Sequence, residues 1–176
     1  FGKILQSGKL LLGIVNDILD FSKIEAGKLE LESVPVDLVG LLREASAMVQ
    51  DRVRCQGLAL KIKKAPDLPE RCMSDPVRLV QVLVNLLTNA VKFTERGSVT
   101  LAARRDGEQL LFQVTDTGIG MTQEQVARIF HPFEQADTST TRRFGGTGLG
   151  LTITQRIITL LDGDIRVESS PGQGSC

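Results

Sequence analysis

Residues 78–94 read RLVQVLVNLLTNAVKFT and predict the central helix of this chain. Asp75-Pro76 just before it is a strong helix start, because Asp is a favoured N-cap and Pro is favoured at the first helical position. We therefore expect a helix from Pro76 to about Phe93, with its Leu and Ala side chains largely on the apolar sides. Spacings of four, four and three residues place a row of polar side chains on one face: Gln81, Asn85, Asn89 and Lys92.

This polar row has two interpretations. Asn is a poor helix former, so two asparagines one turn apart inside a helix carry a local cost, and a merely solvated face would ordinarily use Glu, Lys or Arg. The amide oxygens of Asn85 and Asn89 could instead bind a hard cation such as Mg²⁺, which takes oxygen ligands and commonly bridges to phosphates. Lys92 would then meet phosphate. The spacing alone leaves both interpretations open.

Glycines cluster downstream of this helix, where six of the 17 fall between residues 118 and 150. GGTGLGL, residues 145–151, leads into a predicted helix over 149–161, and glycine-rich backbone at a helix start presents N–H groups to anions. It is neither a Walker A loop, which needs Lys where Leu151 stands, nor a dinucleotide-binding loop, which needs a preceding strand and a third Gly. DTGIG, residues 116–120, ends a predicted strand and could admit a flat ligand or form only a tight turn.

The remaining elements alternate between helices and strands. Residues 1–24 carry a broad two-column stripe of Ile and Leu, which favours a helix packed in a bundle over a core helix. Residues 131–147 form a long loop without periodicity, and such loops are usually functional. Further helices are expected from 38, after the N-cap Asp37, to about 54, and from Thr122, in a capping box with Gln125, to about Phe130. Further strands are expected around Leu29, Leu31 and Val34, over 58–62, 98–104 and 109–116, and at Ile165 and Val167.

Composition excludes several classes of protein. Lys and Arg number 21, as do Asp and Glu, so the chain has no electrostatic footprint for a nucleic-acid backbone. One His and three widely spaced cysteines make a zinc site improbable and favour a reduced, cytosolic-type compartment. No apolar run approaches the length of a membrane-spanning helix.

The single imidazole, His131, lies in FHPFEQ, residues 130–135. It could act as a phosphoacceptor or base, but its neighbours Phe130 and Pro132 place no carboxylate beside it. A Phe pair in a loop is more often a packing anchor than a chemical group, and we favour that interpretation.

Taken together, these motifs resemble the core of a sensor histidine kinase. Residues 78–94 resemble the Asn box, DTGIGM (116–121) the first Gly box, IFHPFEQAD (129–137) the Phe box and GGTGLGLTI (145–153) the second Gly box. SGKLLLGIVNDILDFSKIEAGKLEL (7–31) resembles the second helix of the dimerisation and phosphoacceptor hairpin with its linker. The resemblance covers nearly the whole chain, and the wording of the boxes is closest to the hybrid-type kinases.

The resemblance implies an α+β fold: a two-layer α/β sandwich of the Bergerat type, with a mixed, mostly antiparallel sheet and helices on one face, preceded by one long bundle helix. It divides the chain into residues 1–27, part of the hairpin, and residues 28–176, the ATP-binding catalytic domain. It implies a homodimer through the hairpin helices and a response regulator or receiver domain as partner. It also implies a cytoplasmic location, with a parent protein that can be anchored in the inner membrane.

The resemblance also implies a site for ATP and Mg²⁺ between the Asn helix and a flexible lid of roughly residues 117–150. Asp116 would accept the adenine amino group, Asn89 with Asn85 would hold Mg²⁺, and Lys92 would meet the phosphates. Arg142 or Arg143 would reach the γ-phosphate from the lid. The other nucleotide-binding positions would be Gly118, Gly120, Phe130 and a phosphate cradle of Gly146, Thr147, Gly148, Leu149 and Gly150.

The implied reaction is transfer of the γ-phosphoryl group to a His on the adjacent hairpin. Relatives that hydrolyse ATP place a Glu one turn before the metal-binding Asn, and Asn85 stands there instead, which disfavours hydrolysis. The phosphoacceptor His is expected on the first hairpin helix, so we expect no autophosphorylation by this chain alone. The family usually continues beyond Cys176 into another strand, so the sheet is expected to lack an edge.

Two other functions remain in competition. One is a nucleotide-binding regulatory module, similar to a pseudokinase, that acts by pairing with another kinase through the helix over 1–24. The other is a relative from the same ATPase superfamily that phosphorylates Ser or Thr, or that uses ATP for conformational work.

Overall fold

The structure is a computed structural model that describes residues 2–133 and 148–176. Its helices are α1 (Gly2–Glu25), α2 (Leu38–Gln56), α3 (Pro76–Phe93), α4 (Gln123–Arg128) and α5 (Gly150–Leu160). Its strands are β1 (Val34–Asp37), β2 (Ala59–Lys64), β3 (Arg71–Ser74), β4 (Ser98–Asp106), β5 (Gln109–Asp116), β6 (Ser169–Ser170) and β7 (Gly174–Ser175).

The strands form one main sheet and one small one. The main sheet has five strands in the order β2-β4-β5-β7-β6, in which β2 pairs parallel with β4 and all other pairs are antiparallel. β1 and β3 form a separate antiparallel pair. The helices lie on one face of the main sheet, which confirms the predicted α+β sandwich with a mixed, mostly antiparallel sheet.

The main core lies between the sheet and the helices α2 and α3. Its fully buried side chains include Leu42, Leu87 and Leu101, one from each of α2, α3 and β4. A second apolar cluster joins α3 to α5 through Val82, Leu149, Ile153 and Ile157, and Phe21 and Ile24 of α1 pack against it. The carboxyl end of α1 therefore packs against α3 and α5.

The predicted helix caps are confirmed. Asp37 accepts a hydrogen bond from the Val39 N–H at 3.0 Å, and Gly57 ends α2 in the left-handed conformation, with φ at 67°. The buried Asp75 accepts from the Arg78 N–H at 3.0 Å and also from the Glu32 N–H at 3.1 Å, so it caps α3 and holds the segment after α1. Thr122 and Gln125 form the capping box of α4.

Two strand predictions are wrong. Residues 28–33 carry no strand, because Leu29 packs into the second apolar cluster and the chain becomes a strand only at Val34. The strand that begins at Val34 is β1, and its partner strand β3 was not predicted. No strand covers Ile165 and Val167 either, although Glu168 and Cys176 exchange backbone hydrogen bonds of 2.9 and 2.8 Å just beyond β6 and β7.

None of the helices in the described part of the chain is both long enough and apolar enough to cross a lipid bilayer.

Candidate nucleotide-binding site

The middle of α3 is in direct contact with the start of α5. The Asn85 Nδ2 donates a hydrogen bond of 2.8 Å to the Thr154 Oγ1. A Cβ added to Gly150 would lie 2.7 Å from the Asn85 Oδ1, closer than real Cβ contacts allow. Asn85 and Asn89 are both half-buried on the same side of α3, as their spacing predicted. Any larger residue at the first position of α5 would therefore force the Asn85 side chain to shift.

Gln81, the first residue of the polar row, points to a different partner. Its Nε2 donates to the Asp20 Oδ2 of α1 at 2.7 Å. The row predicted from the sequence is thus divided: Gln81 serves the contact with α1, whereas Asn85 serves the contact with α5.

The amino end of α5 is anchored by an apolar side chain. Leu149 occupies the N-cap position without a side-chain cap hydrogen bond, and its side chain is buried in the second apolar cluster. Gly148 just before it adopts a φ of 72°, in the left-handed region that favours glycine. Backbone N–H groups in the first turn of a helix are suited to an anion such as phosphate.

Asp116 places a buried carboxylate at the end of β5. Its Oδ1 accepts a hydrogen bond of 2.8 Å from the Gly118 N–H. Burial raises the pKa of this carboxyl above its usual range, and the backbone hydrogen bonds from Gly118 and Ser175 partly oppose that rise. The sheet thus holds an oriented hydrogen-bond acceptor inside the protein, beside the loop that follows β5.

That loop rests on the carboxyl end of α3. The Ile119 N–H donates to the Phe93 carbonyl at 3.2 Å, and a Cβ on Gly118 would overlap the same carbonyl. Gly120 has a φ of 65°, and a Cβ there would overlap the Ser170 carbonyl of β6. Packing against the chain's own backbone therefore accounts for both glycines, and their predicted contact with a ligand stays a prediction.

Lys92 lies at the same end of α3. Burial, and secondarily the positive charge of Arg52, lowers its pKa from the usual value. Its Nζ lies 4.8 Å from the centroid of the Phe93 ring, within the range of a cation–π contact. Burial thus disfavours the charged form of Lys92, which a nearby phosphate would stabilise.

Thr152 ties the Phe box to α5. Its Oγ1 donates to the Phe130 carbonyl at 2.9 Å. The ring of Phe133 lies 6.2 Å from that of Phe21 in an edge-to-face contact, so this segment also touches α1. His131 is exposed, and its backbone N–H donates to the Arg128 carbonyl at 3.0 Å. These contacts are consistent with a packing role for the Phe pair.

Four predicted site residues lie outside the described part of the chain: Arg142, Arg143, Gly146 and Thr147. Thr154, by contrast, was missed. Nothing in the sequence distinguishes it from an ordinary helix residue, because its partner Asn85 is 69 positions away.

The two described glycine motifs thus enclose one stretch of α3. The start of α5 meets it at Asn85, and the loop after β5 meets it at Phe93. The fold and this arrangement define an ATP-binding domain. Residues 74–176 match the model of the family described as "Histidine kinase-, DNA gyrase B-, and HSP90-like ATPase", and the chain belongs to this family.

Curated relatives match almost the whole chain. The sensor histidine kinase GacS of Pseudomonas protegens is 44% identical over 99% of this chain and 20% of its own length. The signal transduction histidine-protein kinase BarA of Escherichia coli is 43% identical over 98% of this chain and 19% of its own length. The chain therefore spans about a fifth of these relatives.

Solved structures share the same fold. Full-length ShkA in complex with AMPPNP is 39% identical, with a TM-score of 0.86, over 97% of this chain and 35% of that one. Histidine kinase ThkA in complex with the response regulator protein TrrA is 25% identical, with a TM-score of 0.73, over 98% of this chain and 47% of that one. The chain is thus similar to the ATP-binding core of sensor histidine kinases, as its motifs indicated.

Proposed function

We propose that this chain is the ATP-binding catalytic part of a sensor histidine kinase that transfers the γ-phosphoryl group of ATP to a His on an adjacent helical hairpin. The observation that carries the proposal is the position of α3 between two glycine motifs, with Asn85 against Gly150 and the Phe93 carbonyl against Gly118. The relatives at 43% and 44% identity are named as histidine kinases, which supports the same reaction here.

The site residues fall into two groups: one would bind the adenine base of ATP and the other would bind its phosphates. Asp116, a buried acceptor at the end of β5, would receive the adenine amino group. Lys92 and the backbone of Gly148, Leu149 and Gly150 would meet the phosphates. Phosphoryl transfer depends mainly on positioning and on stabilising charge, and these groups can supply both.

The amide oxygens of Asn89 and Asn85 would hold Mg²⁺ together with the phosphates. The residues fit this ion, because Mg²⁺ prefers oxygen ligands and the amino end of the Asn85 amide is already donated to Thr154. When bound, the ion would neutralise phosphate charge. An amide at position 85 cannot take a proton from water as a carboxylate general base can, which favours transfer over hydrolysis.

We infer that residues 1–27 belong to the hairpin and that residues 28–176 form the ATP-binding domain. The α1 residues Leu11, Leu12 and Leu19 are more than half exposed, at 63%, 64% and 52%. A two-column apolar stripe of this kind suits a helix that is covered in a bundle, so a homodimer through the hairpin helices would bury it. A response regulator or receiver domain would then take the phosphoryl group. We propose a cytoplasmic location for this domain, because its substrate would be ATP.

Calorimetric titration of Mg-ATP into the chain tests the site. Asn89→Ala should weaken binding by more than the roughly 10–100-fold cost of losing a group that only orients a metal ligand. Asp116→Ala should abolish measurable binding of Mg-ATP. Asn16→Ala, which removes an exposed Asn from α1, is the matched control and should leave the affinity unchanged. Unchanged affinity in both site variants would show that the assignment is wrong.

Transfer is tested by adding γ-labelled ATP and a separate hairpin that carries the phosphoacceptor His. Label that appears on the hairpin and is lost in acid identifies phosphohistidine and supports the proposal. Acid-stable label would indicate a Ser or Thr kinase. Tight ATP binding with no label on the hairpin would favour the regulatory module instead.

A further inference from the structure

We propose that Thr154 is a positioning residue for the metal site: its hydroxyl accepts from the Asn85 Nδ2 and so holds the Asn85 side chain where the amide oxygen can meet the cation. The inference rests on the proposed function of Asn85 as a Mg²⁺ ligand. Thr154 itself would touch neither the metal nor the nucleotide.

Three other hydroxyls, in a helix or at a helix end, bond to the backbone of their own helix, whereas that of Thr154 bonds to a side chain on another helix. Ser46, Thr94 and Thr159 each donate to the carbonyl four residues earlier, at 2.7, 2.7 and 3.0 Å. Such bonds satisfy a hydroxyl locally and orient nothing else. The Thr154 Oγ1 instead accepts from a side chain on another helix, at 2.8 Å, and only 2% of Thr154 is exposed.

Both ends of the Asn85 amide lie against α5, and the amino end is held there by a hydrogen bond. Its Nδ2 bonds to Thr154, and its Oδ1 faces the α-carbon of Gly150, where there is no room for a Cβ. Positions 150 and 154 are one helical turn apart and lie on the same face of α5. Because an amide carries its oxygen and its amino group on the same carbon, fixing the amino group at Thr154 determines where the oxygen lies.

The orientation has a chemical consequence. The oxygen end lies beside the first residue of α5, where the backbone N–H groups of the second glycine motif begin. A 180° rotation of the amide would place the amino group there, and an amino group with its two N–H donors repels a cation. Without the hydroxyl of Thr154, the half-buried Nδ2 loses its acceptor, and the amide is no longer held in this position.

The test compares Thr154→Val, which keeps the shape but removes the hydroxyl, with Thr154→Ser, which keeps the hydroxyl. Calorimetry is run with ATP in saturating Mg²⁺ and again in EDTA. Thr154→Val should weaken Mg-ATP binding about tenfold, the lower end of the range for residues that orient a metal ligand. It should leave the metal-free affinity for ATP within twofold, and Thr154→Ser should restore Mg-ATP binding to within twofold.

A double variant separates positioning from packing. If Thr154 acts through Asn85, Thr154→Val should have no further effect on Mg-ATP affinity in the Asn85→Ala background. Equal losses with and without Mg²⁺, or additive losses in the double variant, would overturn the inference.

Failure of this inference is distinguishable from failure of the proposed function. If Asn85→Ala lowers the Mg²⁺-dependent affinity but Thr154→Val does not, the metal assignment stands and Thr154 has no part in it. If Asn85→Ala leaves the Mg²⁺ dependence intact, the metal assignment itself is wrong and the role of Thr154 falls with it.

Discussion

The Asp20 carboxylate of α1 lies 3.1 Å from the Arg78 guanidinium in the first turn of α3, and only 19% of each side chain is exposed. Gln81 completes the contact: it donates to Asp20 at 2.7 Å and accepts from Arg78 at 2.7 Å. Gln81 and Asn85 are one turn apart, so this cluster lies directly beside the candidate metal site. α1 and the candidate nucleotide site thus both contact α3.

We expect Asp20→Ala to lower the free energy of unfolding by about 1–2 kcal/mol, because a charged acceptor is removed from two partly buried donors. Urea denaturation measures the change. The control is Asp164→Ala, which breaks the ion pair with Arg166 at 3.1 Å, where the side chains are 72% and 89% exposed. An exposed pair contributes little, so this variant should change stability by less than about 0.5 kcal/mol. Equal effects of the two variants would contradict the structural role of Asp20.

The buried Asp116 should make stability depend on pH. Its pKa is raised because burial penalises the charged form, so the folded chain keeps this proton at pH values where the unfolded chain has lost it. The contribution to stability is complete below the unfolded pKa and is lost as the pH rises through the folded pKa. Asp116→Asn cannot titrate, so the stability of the original chain relative to this variant should fall with rising pH over that window. Urea denaturation at stepped pH tests this, and a constant difference would contradict it.

The main core should be sensitive to cavities at α3. Leu87 is fully buried between α3 and the sheet, and Leu87→Ala should destabilise the chain by about 2–5 kcal/mol, since it loses apolar contacts and leaves a void. Met48 on α2 is 60% exposed, and Met48→Ala should cost less than about 0.5 kcal/mol. Thermal or urea unfolding of the two variants compares these effects. A Leu87→Ala midpoint close to that of Met48→Ala would refute the prediction.

Local signals made most of the fold predictable. The caps Asp37, Asp75 and Thr122 act within their own helices, so sequence alone was enough to place α2, α3 and α4. β3 was missed because it has only four residues and no alternation, and it is a strand because it pairs with β1 some 37 residues earlier in the chain. Leu29 shows the same limit: its place in the second apolar cluster depends on α3 and α5, which are distant in sequence.

The candidate site was predictable by residue type but not by contact. Asn85, Asn89 and Lys92 could be found from helical spacing, and Asp116 from its place at a strand end. The bond from Asn85 to Thr154 spans 69 residues and leaves no periodic signal. Gly118 lies against the Phe93 carbonyl, a contact that the sequence did not reveal, and its contact with a ligand stays a prediction. Glycine in a motif reveals a close approach but not which group approaches.

One continuous helix, α3, fixes the distances between three contacts. Arg78 meets α1 near its start, Asn85 meets α5 at its middle, and the Phe93 carbonyl meets the loop after β5 at its end. Its 18 residues span about 27 Å, at roughly 1.5 Å per residue. α3 therefore fixes both the spacing and the relative direction of these contacts. Inserting or deleting one residue between Arg78 and Asn85 would rotate one contact about 100° away from the other. Related chains that preserve both contacts should accordingly keep this spacing while the side chains between them vary.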